Sequence, residues 1–323
     1  MRVLVLGGTG FVGSAISKRL TEVQGIETIV GARHQVSINH CEFVSIDATN
    51  PESLFDAFSN IDIVVNCVTG SGESIRDNAA AIVDAASRVK KRIKIIHLSS
   101  MAVYGNQQGV LDESAPVSAE FNWYGKAKVE AERTIRQYAD LDGSSTIFRV
   151  GCVYGANSAL WVDRIGLLLK SGRLGDLGEM ADGWSNLVHT DDVAEAVVLS
   201  LDSGTRDTKV YNLSAPDSPR WNTYFRDFAL AIDCVPLRYK TRFSMLVESR
   251  VIAPPLKAAE RLSSKGWIKT PNVQSMPPSL LRLWCQQIRL NSSKIEDDLG
   301  LTWKAYIDGL KDSAEYFRNR HDG

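Results

Sequence analysis

The chain has 323 residues and a formal net charge of −1, with 44% hydrophobic and 23% charged residues, the proportions of an ordinary folded globular protein. No apolar run approaches the ~18–20 residues that cross a bilayer, which excludes a helical membrane protein. Cys41, Cys67, Cys152, Cys234 and Cys285 have no C-x-x-C spacing. They read as reduced, mostly buried thiols, so neither a disulfide frame nor a metal site is expected.

The opening "MRVLVLGGTG" has too short an apolar core for a signal peptide, so the mature chain is expected to start here and to work in the cytoplasm. "RVLVLGG" reads as a buried strand, and "FVGSAISKRLTEVQG" as a helix that Gly25 can end. Strands follow at "IETIVGAR" and "HCEFVSID", then a helix with Pro51 at its start, a strand at "DIVVNCVTG" and a helix at "IRDNAAAIVDAASRVK". "RIKIIHLSS" is a strand, "NWYGKAKVEAE" a helix and "SSTIFRVGCVYG" a strand. Strands alternating with helices predict an α/β fold: a Rossmann-type, doubly wound parallel sheet. The expected division is a nucleotide-binding domain over 1–155, sheet elements returning at about 186–215, and a smaller, mostly helical substrate-binding region over 156–323. Within that region "WVDRIGLLLKSG" and "SLLRLWCQQIRL" read as helices, "NLVHTDDVAEAVVLSL" as a strand entering a helix, and "KVYNLSA" as a strand.

Charge is unevenly spread. From Arg238 to Lys294 eleven Lys or Arg stand against Glu248 and Glu260, an excess of +9, so the remaining residues carry −10. This is either a solvated face or a surface that meets an anion: the wall of a substrate site, or an anionic membrane. No nucleic-acid partner is expected.

Two motifs carry chemistry. "GGTGFVG" places Gly7, Gly10 and Gly13 between the first strand and helix, where glycines permit a tight turn, close approach of a pyrophosphate and close helix packing. Phe11 and Val12 open the helix that faces the phosphates. The second strand closes on Gly31 and Ala32 with Arg33 and His34 following, so no carboxylate is present to repel a 2′-phosphate. NADP is expected over NAD. Asp47 reads either as an acceptor for the adenine amino group or as a turn residue before Pro51. The second motif is Tyr124 with Lys128 one helical turn on, the only tyrosine here with lysine at that offset. A cation on the same helix face, with an oxidised nicotinamide, favours the phenolate and so an acid/base role.

The segments "GGTGFVG", "SIDATNPESL", "DIVVNCVTG", "IHLSSMAVYG", "YGKAK", "FRVGCVYGA", "LVHTDDVAEA" and "KVYNLS" occur in an order and spacing that resembles the extended short-chain dehydrogenase/reductases of the NAD-dependent epimerase/dehydratase group. The resemblance covers roughly residues 1–215, and "NSSKIEDDLGLTW" looks like that family's closing element. It implies Ser100, Tyr124 and Lys128 as the catalytic set, with Lys128 also holding the nicotinamide ribose. It implies Ala48, Val68, Ser99 and Val150 beside the cofactor, and Thr69, Met101, Cys152, Trp161 and Arg220 near the substrate. It also implies a homodimer through the helices "NAAAIVDAASRV" and "YGKAKVEAERTIRQYA".

Departures from the family narrow the reading. The Thr-Asp-Glu of its dehydratases is replaced by Ser100, Met101 and Ala102, which removes the acid and base for losing water. Cys152 and Ser185 stand where many epimerases have asparagine and arginine. The expected activity is therefore an NAD(P)-dependent oxidoreductase acting on a ketone or secondary alcohol of a nucleotide-linked deoxysugar. A nucleotide-sugar epimerase with tightly held NAD is the alternative enzyme, and a non-catalytic NAD(P)-binding sensor or scaffold the alternative outside enzymes. Cys152 and His189 are read as structural, and Trp161, Trp184 and Trp221 as pocket or core.

Overall fold

The computed structural model describes residues 1–34, 41–120, 122–202, 207–264 and 274–321. Eleven strands are assigned among them: β1 (Arg2–Leu6), β2 (Glu27–Ala32), β3 (Glu42–Ser45), β4 (Ile63–Asn66), β5 (Lys94–Ser100), β6 (Gly109–Leu111), β7 (Ser144–Val150), β8 (Cys152–Tyr154), β9 (Leu187–His189), β10 (Thr208–Leu213) and β11 (Ile288–Leu290). The first helices are α1 (Phe11–Thr21), α2 (Pro51–Phe58), α3 (Gly72–Arg88), α4 (Trp123–Asp140), α5 (Arg164–Lys170) and α6 (Thr190–Leu199). The later ones are α7 (Trp221–Ala231), α8 (Arg242–Val247), α9 (Ala253–Ser264), α10 (Pro278–Trp284), α11 (Ser293–Leu299) and α12 (Tyr306–His321).

Seven strands form one sheet in the order β10-β7-β5-β4-β1-β2-β3, every pair parallel. Its central strands are near-continuous apolar runs, since both faces are covered: Val3 to Leu6, Val64, Val65, Ile95 and Ile96 are all at most 1% exposed. Helices α2, α3 and α4 pack on one face and α1 and α6 on the other, each with its own apolar core. Strand order reverses between β1 and β4, which opens a crevice at the carboxyl ends of the strands. A third core lies beyond the sheet, where Trp221 packs with Trp161, Tyr224, Phe225 and Trp284.

Two expectations change. "SSTIFRVGCVYG" is two strands, because a Cβ on Gly151 would lie 2.1 Å from the Asn186 carbonyl oxygen. The chain bends there, and β8 pairs with β9 in a separate ladder outside the main sheet. "SLLRLWCQQIRL" is a helix only to Trp284, after which β11 pairs with β6. On α3 and α4, Ala79, Ala81, Ala85, Ala86, Ala127 and Ala131 are buried where the helices meet each other and the sheet, while Ala80 is exposed. The outer faces of the two helices carry charges of both signs, with Glu73, Arg76, Asp77, Asp84 and Arg88 exposed on α3 and Lys126, Arg133, Arg136 and Asp140 on α4.

Of the five cysteines only Cys152 is buried; Cys41, Cys67 and Cys234 are half-buried and Cys285 is exposed.

Candidate active site

The turn from β1 into α1 is shaped by its glycines. Gly7 has φ +74°, and a Cβ on Gly13 would lie 2.2 Å from the Gly7 carbonyl oxygen, so the helix rests directly on the turn. Gly10 is the N-cap and offers no side-chain cap, and no acid occupies the first turn. The first-turn N–H groups, including those of Phe11 and Val12, lack intrahelical acceptors and face the crevice. A Cβ on Gly10 would meet only the Gly7 oxygen, at 3.3 Å. This glycine cradle beside an uncapped helix N-terminus fits a dinucleotide pyrophosphate.

At the neighbouring strand ends Gly31 is packed against Leu4, Leu6 and Ile46, and Arg33 and His34 are exposed. Asp47 accepts from the Thr49 N–H at 3.0 Å and hydroxyl at 2.7 Å. These bonds hold its carboxyl below the usual range, and the Arg33 charge adds to the effect. Asn50, not Asp47, caps α2. The Ala48 carbonyl accepts from the Asn78 amide at 2.8 Å. Arg33, Asp47 and Ala48 thus lie at the ends of β2 and β3, separate from the cavities described next.

Ser100 ends β5, and Tyr124 and Lys128 stand one turn apart on α4, which Asn122 caps. Burial raises the Tyr124 pKa, and a hydrogen bond with Ser100 opposes the rise. Lys128 is 3% exposed. Its ammonium donates to the Leu98 carbonyl at 2.7 Å. Burial pushes its pKa down to about 8, against the charges of Cys67 and Glu132. A Cβ on Gly125 would lie 2.5 Å from the Ala102 carbonyl oxygen, so glycine here lets the start of α4 approach the turn after β5.

Two cavities share Ser100, Tyr124 and Gly151. The smaller, about 160 Å³, is lined also by Val12, Val68, Thr69, Ser99, Lys128 and Val150 and lies on the glycine-turn side. The larger, about 550 Å³, is closed by Met101, Cys152, Trp161 and by Leu280, Arg282 and Leu283 of α10. Of the expected substrate residues, Met101, Cys152 and Trp161 line the larger cavity and Thr69 the smaller. Arg220 lines neither: it stacks on Trp184 with its carbon 4.6 Å from the ring centre and hydrogen-bonds Asp182 and Gln287. Burial pushes the Cys152 thiol well up, so it is inert as a base. His189 accepts from the Asp191 N–H at 3.2 Å and caps α6, a structural position. Trp221 belongs to the core, and Ser185 is buried against Pro219 and Ser218.

Among the described residues, the basic stretch 238–294 places one cation on the larger cavity, Arg282, beside the uncharged Ser279, Leu280, Leu283 and Gln286. Arg289 lies over Trp184 at 4.4 Å, and Lys294 donates to the Val210 carbonyl at 2.8 Å. Lys265, Trp267 and Lys269 lie outside the described residues.

Beneath the site is a buried polar network that pattern reading missed. Ser99 donates to Glu132 at 2.6 Å, and Glu132 pairs with Arg149 at 3.0 Å, both side chains 3% exposed. Arg149 also donates to the Tyr104 hydroxyl at 3.0 Å, which donates to Asn212 at 2.6 Å. The signal available was Glu132 one turn beyond Lys128, on its buried face.

A sequence model of the NAD dependent epimerase/dehydratase family matches residues 3–214. The chain is 31% identical over 175 residues to a dTDP-6-deoxy-L-talose 4-dehydrogenase (NAD(P)(+)) of Kitasatospora kifunensis, covering 48% of this chain and 53% of that one. It is 27% identical over 169 residues to a probable low-salt glycan biosynthesis reductase of Haloferax volcanii, covering 48% and 55%. The match thus spans about half the length of these relatives. In fold, the chain resembles a UDP-glucuronic acid 4-epimerase from Bacillus cereus solved in complex with NAD, with a TM-score of 0.74, 17% identity, and 100% and 98% of the two chains covered.

Proposed function

The chain belongs to the NAD-dependent epimerase/dehydratase family, and from that premise we propose that it is an NADP(H)-linked oxidoreductase acting on a ketone or secondary alcohol of a nucleotide-linked deoxysugar. The observation that carries this reading is the pair Ser100 and Tyr124 at the wall common to both cavities. A group there touches whatever occupies either side.

The dinucleotide is held by the turn of Gly7, Gly10 and Gly13, by the helix end at Phe11 and Val12, and by Val68, Ser99 and Val150. When bound it supplies hydride chemistry. Arg33 binds the 2′-phosphate that distinguishes NADP, and Asp47 and Ala48 flank the adenosine. Ser100 hydrogen-bonds the substrate oxygen. Tyr124 gives that oxygen a proton in reduction or takes one in oxidation. Burial keeps its phenol protonated in the chain alone, the form that donates in reduction. Lys128 holds the ribose and brings a positive charge near the phenol. In the larger cavity Met101, Cys152 and Trp161 contact the sugar, and Arg282 pairs its diphosphate. Residues 1–155 carry the cofactor and most of 156–323 the substrate.

A nucleotide-sugar epimerase with tightly held NAD is the second reading, favoured by the fold match to a 4-epimerase. A non-catalytic binder is countered by the close assembly of Ser100, Tyr124 and Lys128. Identifying the cofactor that copurifies separates the enzyme readings: exchangeable NADP supports the oxidoreductase, retained NAD the epimerase. The reading includes a homodimer, with α3 and α4 pairing across a two-fold axis in a four-helix interface. A monomer mass by light scattering at micromolar concentration removes that part.

A further inference from the structure

The segment from Val235 to Glu260 presents large apolar side chains to solvent. Phe243 is 77% exposed, Tyr239 66% and Val251 64%, with Leu246 and Ile252 also exposed. Tyr239 precedes α8, Phe243 and Leu246 lie on it, and Val251 and Ile252 lie on the helical turn Glu248–Ile252 that leads into α9, a continuous helical stretch held down by its other side. There Met245, Glu248, Ser249 and Ala253 are buried, and Arg173 pairs with Glu248 and donates to the Gln274 carbonyl at 2.7 Å.

The exposed charges on this segment are of one sign. Arg238, Arg242, Arg250 and Lys257 are exposed among the apolar residues. The segment's two acids are engaged elsewhere, Glu248 with Arg173 and Glu260 with the Ser275 N–H and hydroxyl. A face of aromatic and aliphatic side chains set among cations has the make-up of a helix lying in a lipid–water interface. It is ill suited to a second copy of itself, because an isologous contact would bring these exposed cations together. We propose that residues 235–260 are a docking face by which the protein binds an anionic lipid bilayer. Its place in the fold gives it a use. Arg242 lies close enough to Cys285 for its charge to act on that thiol, and Cys285 ends α10, whose Leu280, Arg282 and Leu283 wall the larger cavity. Docking holds that wall at the lipid surface.

The test is sedimentation of the full chain with vesicles, a readout independent of any reaction. Vesicles of equal parts phosphatidylglycerol and phosphatidylcholine are expected to carry the protein down at low salt and release it at high salt, and pure phosphatidylcholine to leave it in solution. Arg250→Ala is expected to weaken partitioning about five-fold. Phe243→Ser, at an exposed position that the fold does not depend on, is expected to weaken it at least about ten-fold. Absence of binding to the anionic vesicles, or binding that neither variant alters, overturns the proposal. So does self-association without vesicles that Phe243→Ser abolishes, which would make a second copy the occupant of this face.

Discussion

The Lys128 ammonium lies 6.0 Å from the centre of the Tyr124 ring, while one of its hydrogens is committed to the Leu98 carbonyl at 2.7 Å. Burial brings the lysine down to about 8 from an ordinary value of 10.5. Between those values the unfolded chain holds a proton that the folded chain has released, so this group makes stability rise with pH from about 8 to 10. Lys128→Met is expected to remove roughly one linked proton, flattening the rise by up to ~1.4 kcal/mol per pH unit. Urea unfolding at a series of pH values measures it. Lys94, also brought down to about 8 by burial, keeps its own share in the variant.

Tyr124→Phe is expected to lower kcat by ~10²-fold or more and leave cofactor affinity within a few-fold, because the hydroxyl moves a proton but does not hold the pyrophosphate. Steady-state kinetics and a cofactor titration decide it. A variant that keeps above about a tenth of wild-type turnover ends the acid/base assignment.

Arg33→Ala is expected to flatten or reverse a preference for NADP(H) over NAD(H). A charge-assisted contact to the 2′-phosphate contributes roughly 1.5–3 kcal/mol, so the affinity ratio moves about ten-fold or more. Equal affinity of the wild type for both cofactors would contradict the role of Arg33.

Glu132 and Arg149 form a buried pair at 3.0 Å. Glu132→Gln and Arg149→Met are each expected to cost ~3–5 kcal/mol, since each strands a charge that cannot reach water. The double variant is expected to cost less than the two singles together, a coupling that denaturant unfolding of all four proteins measures. Additive losses would mean the pair does not act as a unit.

Most of the main sheet was legible because each buried strand is an apolar run bounded by turn residues, as in "RVLVLGG" and "DIVVNCVTG". The cradle of Gly7 and Gly13 and the offset of Tyr124 and Lys128 were legible because their spacing is local. What failed was non-local. Nothing in "QQIRL" says that Ile288–Leu290 pairs with Gly109–Leu111, and nothing in "RVGCV" says that the Asn186 carbonyl denies Gly151 a side chain. The Arg220 guanidinium was drawn out of the site by Trp184 and Asp182, partners that sequence order does not bring near. Arg282 was only one cation of a basic stretch until α10 placed it on the cavity wall.

The bend at Gly151 also fixes a distance. Val150 lines the smaller cavity and Cys152 the larger, and only Gly151 lies between them. Two residues of backbone span at most ~6.6 Å, whatever side chains they carry. This short backbone spacer gauges the separation between the contents of the two cavities. Changes at Cys152, Trp161 or Arg282 can therefore alter what the larger cavity accepts without altering how far it sits from its neighbour.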